Sequence, residues 1–202
     1  MKIIFATKNQ GKVREIKDIL GAPDVEVITM KEAGLDCDPD ENGTTFAENA
    51  LIKCRAIAEL LPVRSSDTVI MSDDSGLVVD ALGGDPGVHS ARYLGYDTPY
   101  TIKNADIIAR LDGLTGDARS ARFACAVGAI LSDGTELCTT GTMEGRIAYE
   151  PAGSGGFGYD PILYIPEYGC TGAELTEEAK NAISHRGKAL RSMMELLSEK
   201  AL

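Results

Sequence analysis

Short apolar runs and helically spaced apolar positions alternate along the first part of the chain. Residues 2–6, a lysine followed by four apolar residues, are typical of a short buried strand, and apolar residues then recur at helical spacing over residues 13–20, until Gly21. A second run, residues 25–29, predicts another strand. The chain therefore begins as strand, loop, helix and strand.

A polar, acid-rich stretch separates this opening from the next helix. Residues 31–44 predict a long loop, and Thr45 and Glu48 then have the spacing of a capping box. Apolar residues at helical spacing follow, so we expect a long helix that ends near Pro62.

The rest of the chain adds further strands and helices. Residues 68–72 predict a buried strand that presents Asp73 and Asp74 at its carboxyl end, where functional sites form in α/β folds. An irregular loop is then expected over residues 83–87, a helix over residues 102–111 and a strand over residues 122–131. A tight turn at residues 133–134 leads into a returning strand, and a C-terminal helix is expected over residues 189–197. The pattern predicts a mixed α/β fold.

Composition places this pattern in an ordinary globular protein. The 202 residues are 44% hydrophobic and 25% charged, which favours a single domain over residues 1–202. The apolar run at residues 2–6 is far shorter than a signal peptide or a membrane span. We therefore expect a cytoplasmic protein with no membrane partner.

Charge and cysteine content narrow the possible partners. A net charge of -11 argues against nucleic acids, whose binding needs a basic face, but a local basic cluster can still bind a small polyanion. The five cysteines are an odd number without a C-x-x-C pair, so neither a disulfide framework nor a zinc site is indicated.

The segment Thr7-Lys8-Asn9-Gln10-Gly11-Lys12 is a polar turn between the first strand and the first helix. Free amides and the helix dipole at such a turn favour phosphate oxygens, and its two lysines add positive charge. The segment lacks the first glycine and the Ser or Thr of a P-loop. An ordinary strand-to-helix turn is the alternative interpretation.

Two adjacent acids, Asp73 and Asp74, form the second candidate. Carboxylates about 4 Å apart repel by about 4 kcal/mol at an effective dielectric of about 20, so a nearby cation is expected. Mg²⁺ suits the position because it commonly binds one or two carboxylates together with substrate phosphates. Asp40 or Glu41 in the long loop could supply a further carboxylate. Acids on a solvated turn are the alternative.

A glycine-rich segment, residues 153–161, presents one phenylalanine and one aspartate. Glycines beside Phe157 would let a planar base lie against its ring, and such stacking contributes roughly 1–3 kcal/mol. A core phenylalanine next to a tight turn is the alternative.

The segment Lys180–Gly187 holds three potential cations at the expected start of the last helix, with Ser184 as a plausible N-cap. Cations at a helix N-terminus oppose the helix dipole, which suggests a nearby anion. A solvated basic turn is the alternative.

Taken in this order, the segments closely resemble the inosine triphosphate pyrophosphatase family, also called the Ham1 type. The resemblance spans nearly the whole chain and rests on five blocks: residues 6–12, 45–50, 73–93 (DDSGLVVDALGGDPGVHSARY), 155–162 (GGFGYDPI) and 180–187 (KNAISHRG). It implies an elongated mixed sheet flanked by helices, with two lobes and a central nucleotide-binding cleft. It also implies a homodimer, Mg²⁺, and hydrolysis of ITP, dITP and XTP to a monophosphate and pyrophosphate, which removes these nucleotides before their incorporation into DNA or RNA.

The same resemblance assigns roles to individual residues. Asp74 would be the proton acceptor for the attacking water, Asp74 and Glu41 would bind the metal, and Asp73 would support that centre. Asp40 could replace Glu41. The implied substrate-binding residues are Thr7, Lys8, Asn9, Gln10, Gly11, Lys12, Ser75, Phe157, Gly158, Tyr159, Asp160, Lys180, His185 and Arg186. Phe157 would stack on the base, with His185 and Arg186 near its 6-keto oxygen.

Two other functions compete with this one. A Maf-like pyrophosphatase acting on pyrimidine nucleotides would share a related architecture without the Ser-His-Arg-Gly block. A nucleotide-sensing module without turnover would not need the acids at 73 and 74.

Overall fold

The computed structural model of the protein describes residues 1–21 and 23–200. Its strands are β1 (Lys2–Phe5), β2 (Glu26–Thr29), β3 (Thr68–Val79), β4 (Ser120–Ile130), β5 (Glu136–Ile147), β6 (Leu163–Ile165) and β7 (Cys170–Thr171). They form one sheet in the order β2-β1-β3-β4-β5-β6-β7. β1 pairs in parallel with β2 and β3, and β6 pairs antiparallel with β5 and β7, so the predicted mixed sheet is confirmed.

Five α-helices accompany the sheet in the described part of the chain. They are α1 (Gln10–Leu20), α2 (Phe46–Leu60), α3 (Tyr100–Arg110), α4 (Glu177–Ile183) and α5 (His185–Lys200). Short 3₁₀ helices lie at Asp80–Leu82, Gly87–His89, Gly116–Arg119 and Asp160–Ile162. Within residues 1–21 and 23–200, no helix combines the length and the apolar character needed to cross a membrane.

The predicted capping box starts α2. Thr45 Oγ1 accepts a hydrogen bond from the Glu48 amide at 3.1 Å, and Glu48 Oε2 accepts one from the Thr45 amide at 3.2 Å. These bonds satisfy amides that have no partner within the helix. The helix ends at Leu60, just before Pro62, as predicted.

The chain divides into two compact units. The first consists of Met1–Asp74, Cys125–Gly141 and His185–Leu202, and the second of Ser75–Ala124 and Thr142–Ser184. Each unit is assembled from separate stretches of chain. The interpretation of residues 1–202 as one domain stays a prediction.

Each unit has its own apolar core. In the first unit, alternate residues of β1 enter different clusters: Ile3 packs with residues of α1 and α5, whereas Ile4 packs with residues of α2. A strand that is buried on both faces needs apolar residues at successive positions, which explains why apolar residues follow one another in β1. The second unit has a separate cluster that includes Leu77, Ile107 and Ile162.

Two predicted boundaries are wrong. The segment Lys180–Gly187 does not open the last helix as one stretch, because Lys180 lies in α4 and α5 begins at His185. β3 does not end before Asp73 but continues to Val79, so Asp73 and Asp74 lie in the middle of a strand. Serine and glycine are common in turns, but Gly76 lies within the strand and allows the chain to pass close to Ser90. A Cβ atom at Gly76 would lie 2.3 Å from Ser90 Oγ. Glycine inside a strand often marks such an approach.

Candidate active site

The predicted phosphate segment begins α1. Asn9 is the N-cap residue, and its Oδ1 accepts hydrogen bonds from the amides of Gly11 at 2.9 Å and Lys12 at 3.2 Å. Thr7 Oγ1 accepts one from the Asn9 amide at 3.2 Å. Gln10 is the first helical residue, and its side chain lies outside the described part of the chain. The segment therefore holds a fixed helix start, whose dipole favours anions.

Lys8 binds the acidic loop that follows β2. Its Nζ lies 3.0 Å from Asp36 Oδ1 and 3.7 Å from Asp38 Oδ1. The hydrogen bond to Asp36 is the main reason that the pKa of Lys8 is raised. All three side chains are exposed, so these contacts contribute little to stability.

Asp73 is buried among cations of the first unit. Its Oδ2 lies 3.0 Å from Lys12 Nζ and accepts a hydrogen bond from Arg186 Nε at 3.0 Å. Burial alone would raise the pKa of Asp73, but Lys12 and Arg186 hold it well below its ordinary value. Asp73 is therefore a fixed anion that gathers two of the predicted nucleotide-binding cations.

Arg186, near the start of α5, is only 2% exposed. Besides Asp73, its guanidinium contacts the carboxylate of Glu15 in α1. Burial opposes its charge, yet the carboxylates of Asp73 and Glu15 raise the pKa of Arg186. The neighbouring His185 is also buried. Arg186 thus connects the first and last helices through β3.

Asp74 and Glu41 share one cationic partner. Lys53 Nζ lies 3.0 Å from Glu41 Oε2 and 3.4 Å from Asp74 Oδ1. Burial raises the pKa of Asp74 above its ordinary value, although Lys53 and Lys12 oppose that rise. Burial would lower the pKa of Lys53, but the carboxylates, Asp74 first, raise it. Of the two acids left open for this position, Glu41 contacts Lys53, whereas Asp40 is exposed.

These carboxylates suit a magnesium ion. The Lys53 contacts show that one oxygen of Glu41 and one of Asp74 face the same positive charge. Among the described residues, no three His, Cys, Asp or Glu side chains are grouped to hold a metal. Two carboxylates with a substrate phosphate are a usual Mg²⁺ environment, so the donor set fits that ion.

Sequence reasoning missed Lys53 and Asn49. Asn49 Nδ2 donates a hydrogen bond to Asp74 Oδ2 at 3.1 Å. The two residues lie four positions apart in α2, next to its buried Ala50 and Cys54. Side chains at that spacing share one helix face, so two polar residues beside an apolar stripe were the available signal.

The second unit contains the other predicted group. Asp160 Oδ2 accepts hydrogen bonds from the Phe157 amide and from Lys180 Nζ, both at 2.7 Å. Lys180 Nζ lies 5.1 Å from the centroid of the Phe157 ring, within range of a cation–π contact. Asp160 and Lys180 are buried, whereas Phe157 is half-buried. The ion pair therefore fixes the turn that carries Phe157.

The residues beside Phe157 are held by other contacts within this unit. Gly158 O accepts a hydrogen bond from Asn104 Nδ2 at 3.2 Å. The buried Tyr159 donates its hydroxyl to Ser90 O at 2.7 Å, and its ring packs edge-on against Tyr100. Ser75, the first residue of the unit, is half-buried. The predicted site residues are thus collected in two groups, one in each unit.

The sequence is similar to one family along most of its length. The model of the Ham1 family matches residues 3–196. The dITP/XTP pyrophosphatase of Geobacillus kaustophilus is 46% identical over 198 residues, which cover 98% of this chain and 95% of that protein. The dITP/XTP pyrophosphatase of Desulforamulus reducens is 44% identical over 198 residues, or 98% of this chain and 96% of that protein.

Solved structures agree with the sequence comparison. The Staphylococcus aureus Ham1 protein superposes with a TM-score of 0.86 at 38% identity, covering 99% of this chain and 100% of that one. A HAM1 protein from Coxiella burnetii also gives 0.86, at 37% identity, covering 98% of this chain and 99% of that one. The predicted α/β fold class is thereby confirmed.

Proposed function

The chain belongs to the Ham1 family, and from that premise we propose that it is a nucleoside-triphosphate pyrophosphatase. Its substrates are non-standard purine nucleotides, dITP, ITP and XTP, which it hydrolyses to a monophosphate and pyrophosphate. This reaction removes them from the nucleotide pool before their incorporation into DNA or RNA. The observation that carries the proposal is the acid centre, in which the buried Asp74 and the partly exposed Glu41 both contact Lys53.

Asp74 accepts the proton of the attacking water. Burial raises its pKa, and a higher pKa makes a carboxylate a stronger base at neutral pH. Asp73, by contrast, is kept ionised by Lys12 and Arg186, so the two adjacent acids have different tasks. Asp73 fixes the cations, and Asp74 receives the proton.

Glu41 and Asp74 would hold Mg²⁺ in the active enzyme. The ion would neutralise charge that develops on the substrate phosphate oxygens. Thr7, Asn9 and Lys12 bind the triphosphate, where the start of α1 favours an anion. Lys53 adds a positive charge to the same centre.

The second group recognises the nucleoside. Phe157 stacks on the base, and the Lys180–Asp160 ion pair holds the turn that carries it. From the first group, His185 and Arg186 donate hydrogen bonds to the 6-keto oxygen. Adenine has an amino group at that position, which would leave these buried donors unpaired. Unpaired buried donors can give discrimination of about 10⁴ against adenine nucleotides.

The proposal extends to assembly and location. The family resemblance implies a homodimer, which light scattering during gel filtration measures directly. A cytoplasmic location follows from the proposed substrates, because free nucleotides are used there for polymer synthesis. No nucleic acid or membrane partner is proposed.

Rates on a panel of nucleotides test the function. We expect Mg²⁺-dependent hydrolysis of ITP, dITP and XTP to exceed that of GTP, ATP, dUTP and dTTP, with monophosphate and pyrophosphate as the chromatographed products. Preference for dUTP or dTTP would support a Maf-like pyrophosphatase instead. Nucleotide binding without turnover would support a sensing module, and release of orthophosphate would contradict the proposed cleavage.

A further inference from the structure

The side chain of Asn49 contacts both the acid centre and the loop that leads to α2. Asn49 is 1% exposed; its Nδ2 donates to Asp74 Oδ2 at 3.1 Å, and its Oδ1 accepts from the Gly43 amide at 2.8 Å. A backbone N–H can only donate, so the carbonyl end of the side chain must face Gly43 and the NH₂ end must face Asp74. The orientation of this amide is therefore fixed at both ends.

The loop approaches α2 so closely that only glycine fits at position 43. A Cβ atom there would lie 2.7 Å from Asn49 Oδ1 and 2.7 Å from Glu48 Cβ. The following residue is held as well, because Glu48 Oε2 accepts a hydrogen bond from the Thr44 amide at 2.6 Å. The neighbouring side chains of Glu48 and Asn49 in α2 thus hydrogen-bond to the backbone of the segment that follows Glu41.

The same contacts divide the two oxygens of Asp74. Oδ2 accepts the hydrogen bond from Asn49, and Oδ1 faces Lys53 Nζ at 3.4 Å, the ammonium group that Glu41 also contacts. Rotation of the Asp74 carboxylate would break the Asn49 bond. Hydrogen bonds of this kind orient ligating carboxylates, and their loss costs about 10–100-fold in metal affinity or activity.

From this geometry we infer that Asn49 is a positioning residue for the acid centre. One end of its amide fixes the rotation of Asp74, and the other end anchors the loop that places Glu41. Both carboxylates consequently face one cation. The inference rests on the proposed function, because it assumes that Asp74 and Glu41 act together.

Two substitutions distinguish the contacts made by the two ends of the Asn49 amide. Asn49→Asp keeps an oxygen for the Gly43 amide and loses the donor to Asp74, whereas Asn49→Ala loses both contacts. Thr139→Val is the stability control, since it removes the buried 2.8 Å bond from Thr139 Oγ1 to Ala189 O in the same unit. Three quantities are measured: kcat and KM for ITP, hydrogen exchange of the Gly43 amide, and binding of Mg²⁺ alone by calorimetry.

We expect Asn49→Asp to lower kcat about 10–100-fold with little change in KM, while the Gly43 amide stays protected. Asn49→Ala should lose that protection and bind Mg²⁺ about tenfold more weakly. Thr139→Val should keep the wild-type kcat and Mg²⁺ affinity although it melts at a lower temperature.

Two results would overturn the inference: wild-type kcat in Asn49→Asp, or wild-type Gly43 protection and Mg²⁺ affinity in Asn49→Ala. A fall in kcat that followed the melting temperature in all three variants, the control included, would likewise show a merely structural role. Asp74→Asn is measured in parallel. If it remains active, the proposed centre itself is wrong; if it is inactive while Asn49→Asp is not impaired, the inference about Asn49 alone fails.

Discussion

Arg186 Nε lies 3.0 Å from Asp73 Oδ2, although 113 positions separate the two residues in the chain. The contact joins α5 to β3, and both side chains are almost completely buried. Neither charge has access to bulk water, so each depends on the other and on the neighbouring Lys12 and Glu15.

Replacing Arg186 should therefore destabilise the fold in a pH-dependent way. Arg186→Met leaves two carboxylates without their buried cation, and loss of one partner of a buried pair costs about 3–5 kcal/mol. Because the pKa of Asp73 is lowered in the folded protein, its ionised form stabilises the fold. This stability is fully present at pH values above 3.8, the ordinary pKa of aspartate, and is lost as the pH falls through the folded-state pKa. The difference from wild type should be largest at neutral pH and shrink in acid.

Urea unfolding at several pH values measures this difference. Arg55→Met is the matched control, because Arg55 pairs with Glu136 at 2.7 Å on the exposed surface of the same unit. That substitution should cost less than about 1 kcal/mol. Equal losses in the two variants, or a loss at position 186 that does not change with pH, would contradict the assignment.

Asp74→Asn should slow hydrolysis by several orders of magnitude but retain nucleotide binding. The substitution keeps the shape of the side chain and removes its capacity to accept a proton, which contributes about 10²–10⁴-fold to the rate. Single-turnover rates and calorimetric binding of ITP measure the two effects separately. Asp133→Asn, in the exposed turn after β4, should behave as wild type. An active Asp74→Asn variant would remove Asp74 from the mechanism.

Phe157→Ala should weaken nucleotide binding more than it slows the chemical step. Loss of a stacked base costs about 1–3 kcal/mol, which corresponds to a rise in KM of about 5- to 150-fold with a smaller change in kcat. The variant Tyr168→Ala, which removes an exposed aromatic residue of the same unit, serves as the control. If KM rises equally in both variants, or in neither, Phe157 does not bind the base.

The thiols should differ sharply in their reactivity. Burial raises the pKa of Cys54 and of Cys125 to about 12, so at mildly alkaline pH both remain protonated and inaccessible in the folded protein. Cys138 is exposed. Iodoacetamide should therefore label Cys138 first, as mass spectrometry of the peptides would show. Early labelling of Cys54 or Cys125 in folded protein would contradict the described burial.

Much of the fold could be predicted because local patterns determined it. The apolar run of β1, the capping box of α2 and the turn at Asp133-Gly134 each carry a short-range signal, and the described elements follow them. The end of β3 could not be predicted. The Ser75-Gly76 pair suggests a turn, and only its close approach to Ser90 explains why the strand continues.

The candidate site shows a similar limit. The adjacent acids and the basic segment are visible in the sequence. The sequence does not show that Lys12 and Arg186 bind the same oxygen of Asp73, because these residues come from distant parts of the chain. Lys53 and Asn49 were missed for the same reason. Their α-helical spacing is ordinary, and their importance comes from the strand that packs beside them.

The division of the chain into interleaved units constrains how the protein is made. Unit 1 draws on Met1–Asp74, Cys125–Gly141 and His185–Leu202, so it cannot close until the ribosome has synthesised the segment that contains Arg186. Asp73 leaves the exit tunnel long before its guanidinium partner exists. The buried Asp73–Arg186 contact must therefore form late, after translation of nearly all of these residues.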